Sequence, residues 1–401
     1  NANINADTAM GTMLKYGSES AKQFYEMCVI DPKFARAHRE GDIHIHDMDF
    51  YTLTTTCCQI DLRRLFKGGF STGHGVLREP NDIASYSALA CIAIQSNQND
   101  QHGGQSICDF DYGLALGVQK TFKRLYKKHL FEALSLLTDV ENPKETAETI
   151  IGRVEGETGK CASLVMDATF EGAIQQELID LGIEEAVAKR ILGYAESSAK
   201  ADTDRTTFQA MEALVHNLNT MHSRAGAQTP FSSINYGMDT SAEGRMVIKN
   251  ILLATEEGLG SGETPIFPVQ IFRVKEGVNY NPGDPNYDLF KLAMRCSAKR
   301  LFPNFSFVDA PFNLQYYKGT PETEISYMGC RTRVMGNVYD PSREITTGRG
   351  NLSFTSINLP RLAIRSKGDR DLFFDLLDAK LALVVGQLDE RFKIQASKHV
   401  Y

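Results

Sequence analysis

The second half of the chain alternates between two periodicities, and that alternation constrains the fold most. Pro230–Tyr236, Ile266–Phe272, Phe305–Val308 and Leu352–Leu359 are short runs of strand character. Between and after them, 241–257, 286–300 and 370–390 carry apolar residues at helical spacing. Strands alternating with helices predict an α/β architecture with a largely parallel sheet or barrel, since parallel neighbours need a crossover long enough to hold a helix. The first half is richer in helix. Thr8 to about Cys28 reads as one helix, Asp31-Pro32 opens a second that ends near Gly41, 81–135 reads as two helices split by Asn97–Ser106, and 143–225 is mostly helical. Asp42–Asp47 alternates at period two and Leu53–Ile60 is Thr-rich, so each predicts an extended segment. No repeat, low-complexity tract or linker-like stretch divides the chain, so 1–401 is expected to belong to a single domain.

Composition excludes several function classes. The 401 residues are 42% hydrophobic and 23% charged, with a formal net charge of -7, which leaves no basic footprint for nucleic acid. No apolar run approaches a membrane span, and no signal peptide opens the chain. The eight cysteines are scattered and none forms a CxxC pair, so no metal site is expected and a reducing cytoplasm suits them. Cys91, inside the apolar run Ala88–Ile94, is expected in the core. The chain opens on Asn1 and closes on Tyr401 directly after an amphipathic stretch, and it is expected to be an internal fragment of a longer protein.

One thiol stands out. Cys330 lies in Tyr327-Met328-Gly329-Cys330-Arg331-Thr332-Arg333, turn-prone and set between two strand-like runs. A preceding glycine permits a sharp turn that presents the sulfur outward, where chemistry rather than packing is its use. The pair Cys57-Cys58 ends an extended segment, and on a strand the two point to opposite faces. His44 and His46 share one face of their strand. Gly258–Gly262 is glycine-rich but has neither dinucleotide nor P-loop spacing, and is expected to be a loop.

Five runs, taken in order, carry a resemblance: Ala37–Asp47, Cys57-Cys58-Gln59-Ile60-Asp61, His102-Gly103-Gly104-Gln105-Ser106, Met328-Gly329-Cys330-Arg331-Thr332 and Gly350-Asn351-Leu352. Together they resemble the large catalytic subunit of the anaerobic (class III) ribonucleoside-triphosphate reductases. The resemblance implies a ten-stranded α/β barrel of the glycyl-radical type with a central finger loop, incomplete in this segment. It places the N-terminal ATP cone and the C-terminal glycyl-radical and zinc region outside 1–401. By the same resemblance Cys330 becomes a thiyl that takes the ribose 3′-hydrogen, the radical being stored on a glycine beyond this segment. A barrel interior suits such a step, because it excludes water and fixes the sulfur against the sugar.

The resemblance also assigns partners and supporting residues. Cys57 matches the second thiol, a hydrogen donor across the sugar, with Cys58 as the alternative and packing as the reading without chemistry. Asn351 offers an amide to the ribose hydroxyls or to formate, against the alternative of a turn residue. Arg331 after Cys330, in place of a second cysteine, together with Asn351 favours formate as reductant. His46, beside Asp47, is the better histidine for holding formate or ribose; His44 is more simply structural. Gly103, Gly104, Gln105 and Ser106, just ahead of a helix, are expected to offer backbone N–H groups to a triphosphate, the alternative being a plain helix–helix turn. Ribonucleoside triphosphates are the implied substrates, with dNTP and ATP effectors acting at a helical homodimer interface in about 81–225. A radical-SAM activating enzyme is the implied partner. Three rivals stand beside this reading: a pyruvate formate-lyase relative, which would carry adjacent cysteines at the finger tip, a non-catalytic dNTP-binding module, and a purely structural barrel, which leaves the five ordered runs unexplained.

Overall fold

The computed structural model describes residues 8–222, 228–329, 332–334, 336–337, 339–343 and 346–398. Its centre is a six-stranded sheet. The strands are β1 (Thr56–Ile60), β2 (Gln105–Ile107), β3 (Ser232–Tyr236), β4 (Val269–Val274), β5 (Asn304–Phe307) and β6 (Gly350–Asn351). The spatial order is β6-β1-β2-β3-β4-β5. β1 to β5 run parallel, and β6 lies antiparallel on the edge beside β1.

The parallel run follows from the connections. Helices Ile83–Asp100, Ala242–Glu257 and Tyr287–Arg300 each lead from one strand toward the next. Capping starts them cleanly. Asp82 and Ser85 form a reciprocal capping box, and Ser241 accepts from the Gly244 N–H. Helix Phe110–Leu137 buries Phe110, Leu114, Val118, Phe122 and Leu125, a stripe at three- and four-residue spacing. That stripe packs with helix Glu185–Thr220 into the main core, which also takes in Ile234, Tyr236 and Phe272 from the sheet. Cys91 is in this core, 2% exposed.

The expected elements are present with shifted bounds, and several short ones are new, among them helices Leu62–Phe66 and Leu359–Ser366, the strand pair Phe70–Ser71 and Val76–Leu77, and β2. The stretch expected to be a turn between two helices contains β2, a full member of the sheet. Its three residues are too few to show a period, so it reads as loop from sequence.

A smaller core joins the two ends of the chain. Helices Ala9–Cys28 and Pro32–Arg39 and strand Ile43–Ile45 pack with the last helix, Arg370–Ala396, through Tyr25, Phe34, Ile45, Tyr51 and Val384. Strand Ile43–Ile45 pairs antiparallel with Thr355–Ile357. Arg391, 1% exposed, donates to the carbonyls of Tyr51, His46 and Asp47 at 3.2, 3.0 and 3.4 Å, so a buried cation is satisfied entirely by backbone. Asp42 is clamped by Arg361, Arg365 and Lys380, which ties the start of this unit to its closing helices. No helix among the described residues is long and apolar enough to cross a membrane.

Candidate active site

A kink in β1 organises the site. Gly350 pairs with Cys58 and Asn351 with Thr56, so the register slips at Cys57, whose φ is 49°. A non-glycine residue in the left-handed region persists only when its neighbours fix it. Here they do. The Cys57 N–H donates to the His102 carbonyl at 3.1 Å, and its Sγ accepts the Gly104 N–H at 3.1 Å. Gly103 has a φ of 88°, and a Cβ there would collide with Thr56 Oγ1 and lie 2.7 Å from the Cys57 nitrogen and 2.9 Å from its sulfur. Glycine is therefore required for the backbone to come this close.

Cys58 faces the other way. Its thiol donates to Gln105 Oε1 at 2.9 Å and accepts from Asn97 Nδ2 at 3.0 Å, on the side of helix Ile83–Asp100. Burial, reinforced by neighbouring Cys57, pushes this thiol up to about 12, so it stays protonated. A cavity of about 810 Å³ opens on this side, lined by Cys58, Asp61, Arg64, Phe70, Asn97 and Gln101; Cys57 is not on its wall.

The hairpin that carries Cys330 meets the Cys57 side. Strands Ser326–Met328 and Thr332–Val334 pair antiparallel, Met328 opposite Thr332 and Tyr327 opposite Arg333. Cys330 and Arg331 lie outside the described residues. Gly329 is described, and a Cβ on Gly104 would come within 3.0 Å of its Cα. The residue before Cys330 thus touches the residue whose N–H holds the Cys57 sulfur. Asn351 Nδ2 donates to Thr332 Oγ1 at 3.3 Å, joining β6 to the same hairpin.

The glycine-containing turn is spent on structure. The Gly104 N–H serves Cys57, the Gln105 N–H donates to the Phe231 carbonyl at 2.8 Å, and the Ser106 hydroxyl donates to the Tyr327 carbonyl at 2.7 Å. Gln105 and Ser106 are strand residues, not the mouth of a helix. Of the N–H groups expected to meet a triphosphate, that of Gly104 rests on the Cys57 sulfur and that of Gln105 on the Phe231 carbonyl.

His44 and His46 lie apart from the thiols. Their rings are 4.6 Å apart, His38 lies 5.3 Å from His44, and the three line a cavity of about 630 Å³. His46 Nε2 is 2.7 Å from Ser356 Oγ, and burial with neighbouring His44 lowers its proton affinity. His46 is linked toward the thiol cluster by neighbouring Asp47, whose Oδ2 is 3.4 Å from His102 Nε2. His102 is 3% exposed and stacks on Phe50 at 4.5 Å. Burial raises the Asp47 carboxyl, but His102, Arg391 and His46 together outweigh it and hold the group below its usual value. His102, at the head of the run His102–Ser106, is a further site residue, since its carbonyl receives the Cys57 N–H at the kink.

Acidic and basic groups fix the base of the hairpin. Glu324 lies 2.6 Å from Arg273 Nη1 and accepts from Tyr112 Oη at 2.9 Å, while Asp111 accepts three backbone N–H groups, from Gly237, Met238 and Asp239. Burial, with Asp111 close by, pushes the Glu324 carboxyl up to about 7 against the pull of Arg273. No group of three or more His, Cys, Asp or Glu gathers to hold a metal among the described residues.

A parallel α/β sheet whose strand β1 kinks at Cys57, faced by the hairpin of Ser326–Met328 and Thr332–Val334, forms the frame of the site. The comparisons name the family. The profile of anaerobic ribonucleoside-triphosphate reductase matches residues 1–400, and the chain belongs to that family. The Haemophilus influenzae anaerobic ribonucleoside-triphosphate reductase is 30% identical over 90% of this chain, and the Escherichia coli enzyme 29% over the same share. The match takes in 42% of each of those proteins, so the chain spans less than half their length. Among solved structures, the Thermotoga maritima anaerobic ribonucleotide reductase in complex with dATP and CTP covers 97% of this chain and is covered over 54%, with a TM-score of 0.54 at 14% identity. The same enzyme with citrate in its active site gives 0.52 at 13% identity. At those identities the likeness is one of fold.

Proposed function

We propose that the protein containing this chain reduces ribonucleoside triphosphates to deoxyribonucleoside triphosphates, and that residues 1–401 form part of a single catalytic barrel, ten-stranded when whole, with the 326–334 hairpin as its finger. The observation that carries the reading is the contact of Gly104 with Gly329, which brings the kinked Cys57 and the residue preceding Cys330 together. A glycyl radical held outside these residues supplies the oxidising equivalent that makes Cys330 a thiyl. Cys330 then takes the 3′-hydrogen from the ribose, and the 2′-hydroxyl leaves as water with a proton. Cys57 delivers a hydrogen atom to the 2′-carbon, formate restores that hydrogen to the Cys57 sulfur, passes its remaining electron to the sugar, where a proton joins it, and leaves as carbon dioxide, and the 3′-hydrogen returns from Cys330. Asn351, neutral and half-buried beside Thr332, offers N–H groups to the formate or to the ribose hydroxyls. Cys58, kept protonated and bonded to Gln105 and Asn97, serves as a packing and hydrogen-bonding residue.

Nucleotide effectors at a helical homodimer interface and an activating enzyme of the radical-SAM class complete the proposal. The Thermotoga maritima relative was solved with dATP bound in its specificity site, which supports the effector part. The test is nucleotide reduction by the activated full-length protein, assayed with and without formate. Cys330→Ala is expected to abolish turnover while the glycyl-radical signal still forms, and Cys57→Ala to stop product formation. Turnover retained in Cys330→Ala would overturn the reading.

A further inference from the structure

Asn235 lies on β3, is completely buried, and reaches the hairpin rather than its own sheet neighbours alone. Its Oδ1 accepts the Tyr327 N–H at 2.9 Å, and its Nδ2 donates to the Tyr327 carbonyl at 2.9 Å. A neighbouring strand would make the same two bonds to Tyr327. One side-chain amide therefore substitutes for a β-bridge, tying a strand that crosses the sheet to the sheet itself. The Nδ2 group also faces the Ile107 carbonyl at 3.1 Å and Ser106 Oγ at 3.2 Å, so no part of the amide is idle. Ser106 donates to the same Tyr327 carbonyl at 2.7 Å, and Ser306 Oγ donates to the Tyr327 hydroxyl at 3.2 Å. Tyr327 is thus held at its backbone from β2 and β3 and at its ring end from β5. It stands opposite Arg333 in the hairpin and three residues before Cys330.

Among the described residues, Asn235 is the polar side chain that answers both the backbone N–H and the carbonyl of Tyr327. An apolar side chain of similar size would fill the space yet leave the Tyr327 N–H without this partner and its carbonyl with Ser106 alone. We propose that Asn235 is a positioning residue for the radical-bearing thiol: it sets the register of the hairpin on the sheet, and so the place where Cys330 meets the sugar. This rests on the reading of Cys330 given above.

The experiment uses the full-length protein with Asn235→Asp, Asn235→Leu and Ser106→Ala. Asn235→Asp keeps the acceptor and the volume but turns an oxygen toward the two carbonyls. In both Asn235 variants kcat is expected to fall about 100-fold, the cost of misplacing a reacting atom by about an ångström. KM for the nucleotide is expected to stay within about twofold, since the loss is at the chemical step. Native-state hydrogen exchange at Tyr327 is expected to speed up roughly tenfold in both, and about fivefold in Ser106→Ala, the size of one or two hydrogen bonds. Protection in helix Phe110–Leu137 should not change. Wild-type kcat together with wild-type Tyr327 protection in Asn235→Asp overturns the proposal. If an Asn235 variant loses protection everywhere, Ser106→Ala decides: unchanged Tyr327 exchange there overturns it. The two readings separate cleanly, because activity surviving Cys330→Ala defeats the functional one while the exchange data still decide the role of Asn235.

Discussion

Cys57 and Cys58 are adjacent in sequence and opposite in circumstance. That they face opposite sides follows from strand geometry alone. Which side holds the hairpin does not, because the kink at Cys57 is created by a register slip against Gly350 and Asn351, far along the chain. Gly103 is the residue that permits the kink. Gly103→Ala would place a methyl against Thr56 and Cys57 at a φ of 88°, and it is expected to destabilise the fold by about 2–3 kcal/mol, read by urea denaturation. An unchanged midpoint would mean the kink relaxes freely. Asn235 shows no signal of its own in sequence; a polar residue inside Pro230–Tyr236 is ordinary until the hairpin lies across it.

At the level of elements, the long helices and four of the strands announce themselves by period, capping and proline. β2 does not, since three residues cannot establish a period and its place is fixed by pairing, whereas the two hairpin strands show as strand-like runs around Cys330. The base of the hairpin makes a prediction of its own. The folded-state pKa of Glu324 is raised from the ordinary 4.5 to about 7, so the folded protein binds this proton more tightly than the unfolded chain does. Its contribution to stability is therefore largest below pH 4.5 and declines as pH rises from there to about 7. Glu324→Gln, fixed in the neutral form, is expected to flatten that slope in urea unfolding measured from pH 5 to 8. A slope unchanged by the substitution would show that the Arg273 pairing keeps Glu324 ionised throughout.

At the scale of the molecule, the α/β class and the parallel sheet are legible from the alternation of strands and helices. The union of the first and last segments is not, because it depends on Asp42 meeting Arg361, Arg365 and Lys380. Asp42→Asn is expected to cost about 2–3 kcal/mol, below the full penalty of breaking a buried pair since both arginines are partly solvated. Lys380→Ala combined with it should cost less than the two changes summed, as residues sharing one network do. The same long-range union sets an order of assembly. The edge partner of β1 at Gly350–Asn351 is synthesised roughly 290 residues after β1 itself. At ordinary elongation rates that interval is roughly 15–60 s. During it the Cys57 segment has no edge partner and no kink. In the nascent protein the Cys57 kink therefore forms only after β2 to β5 have been made.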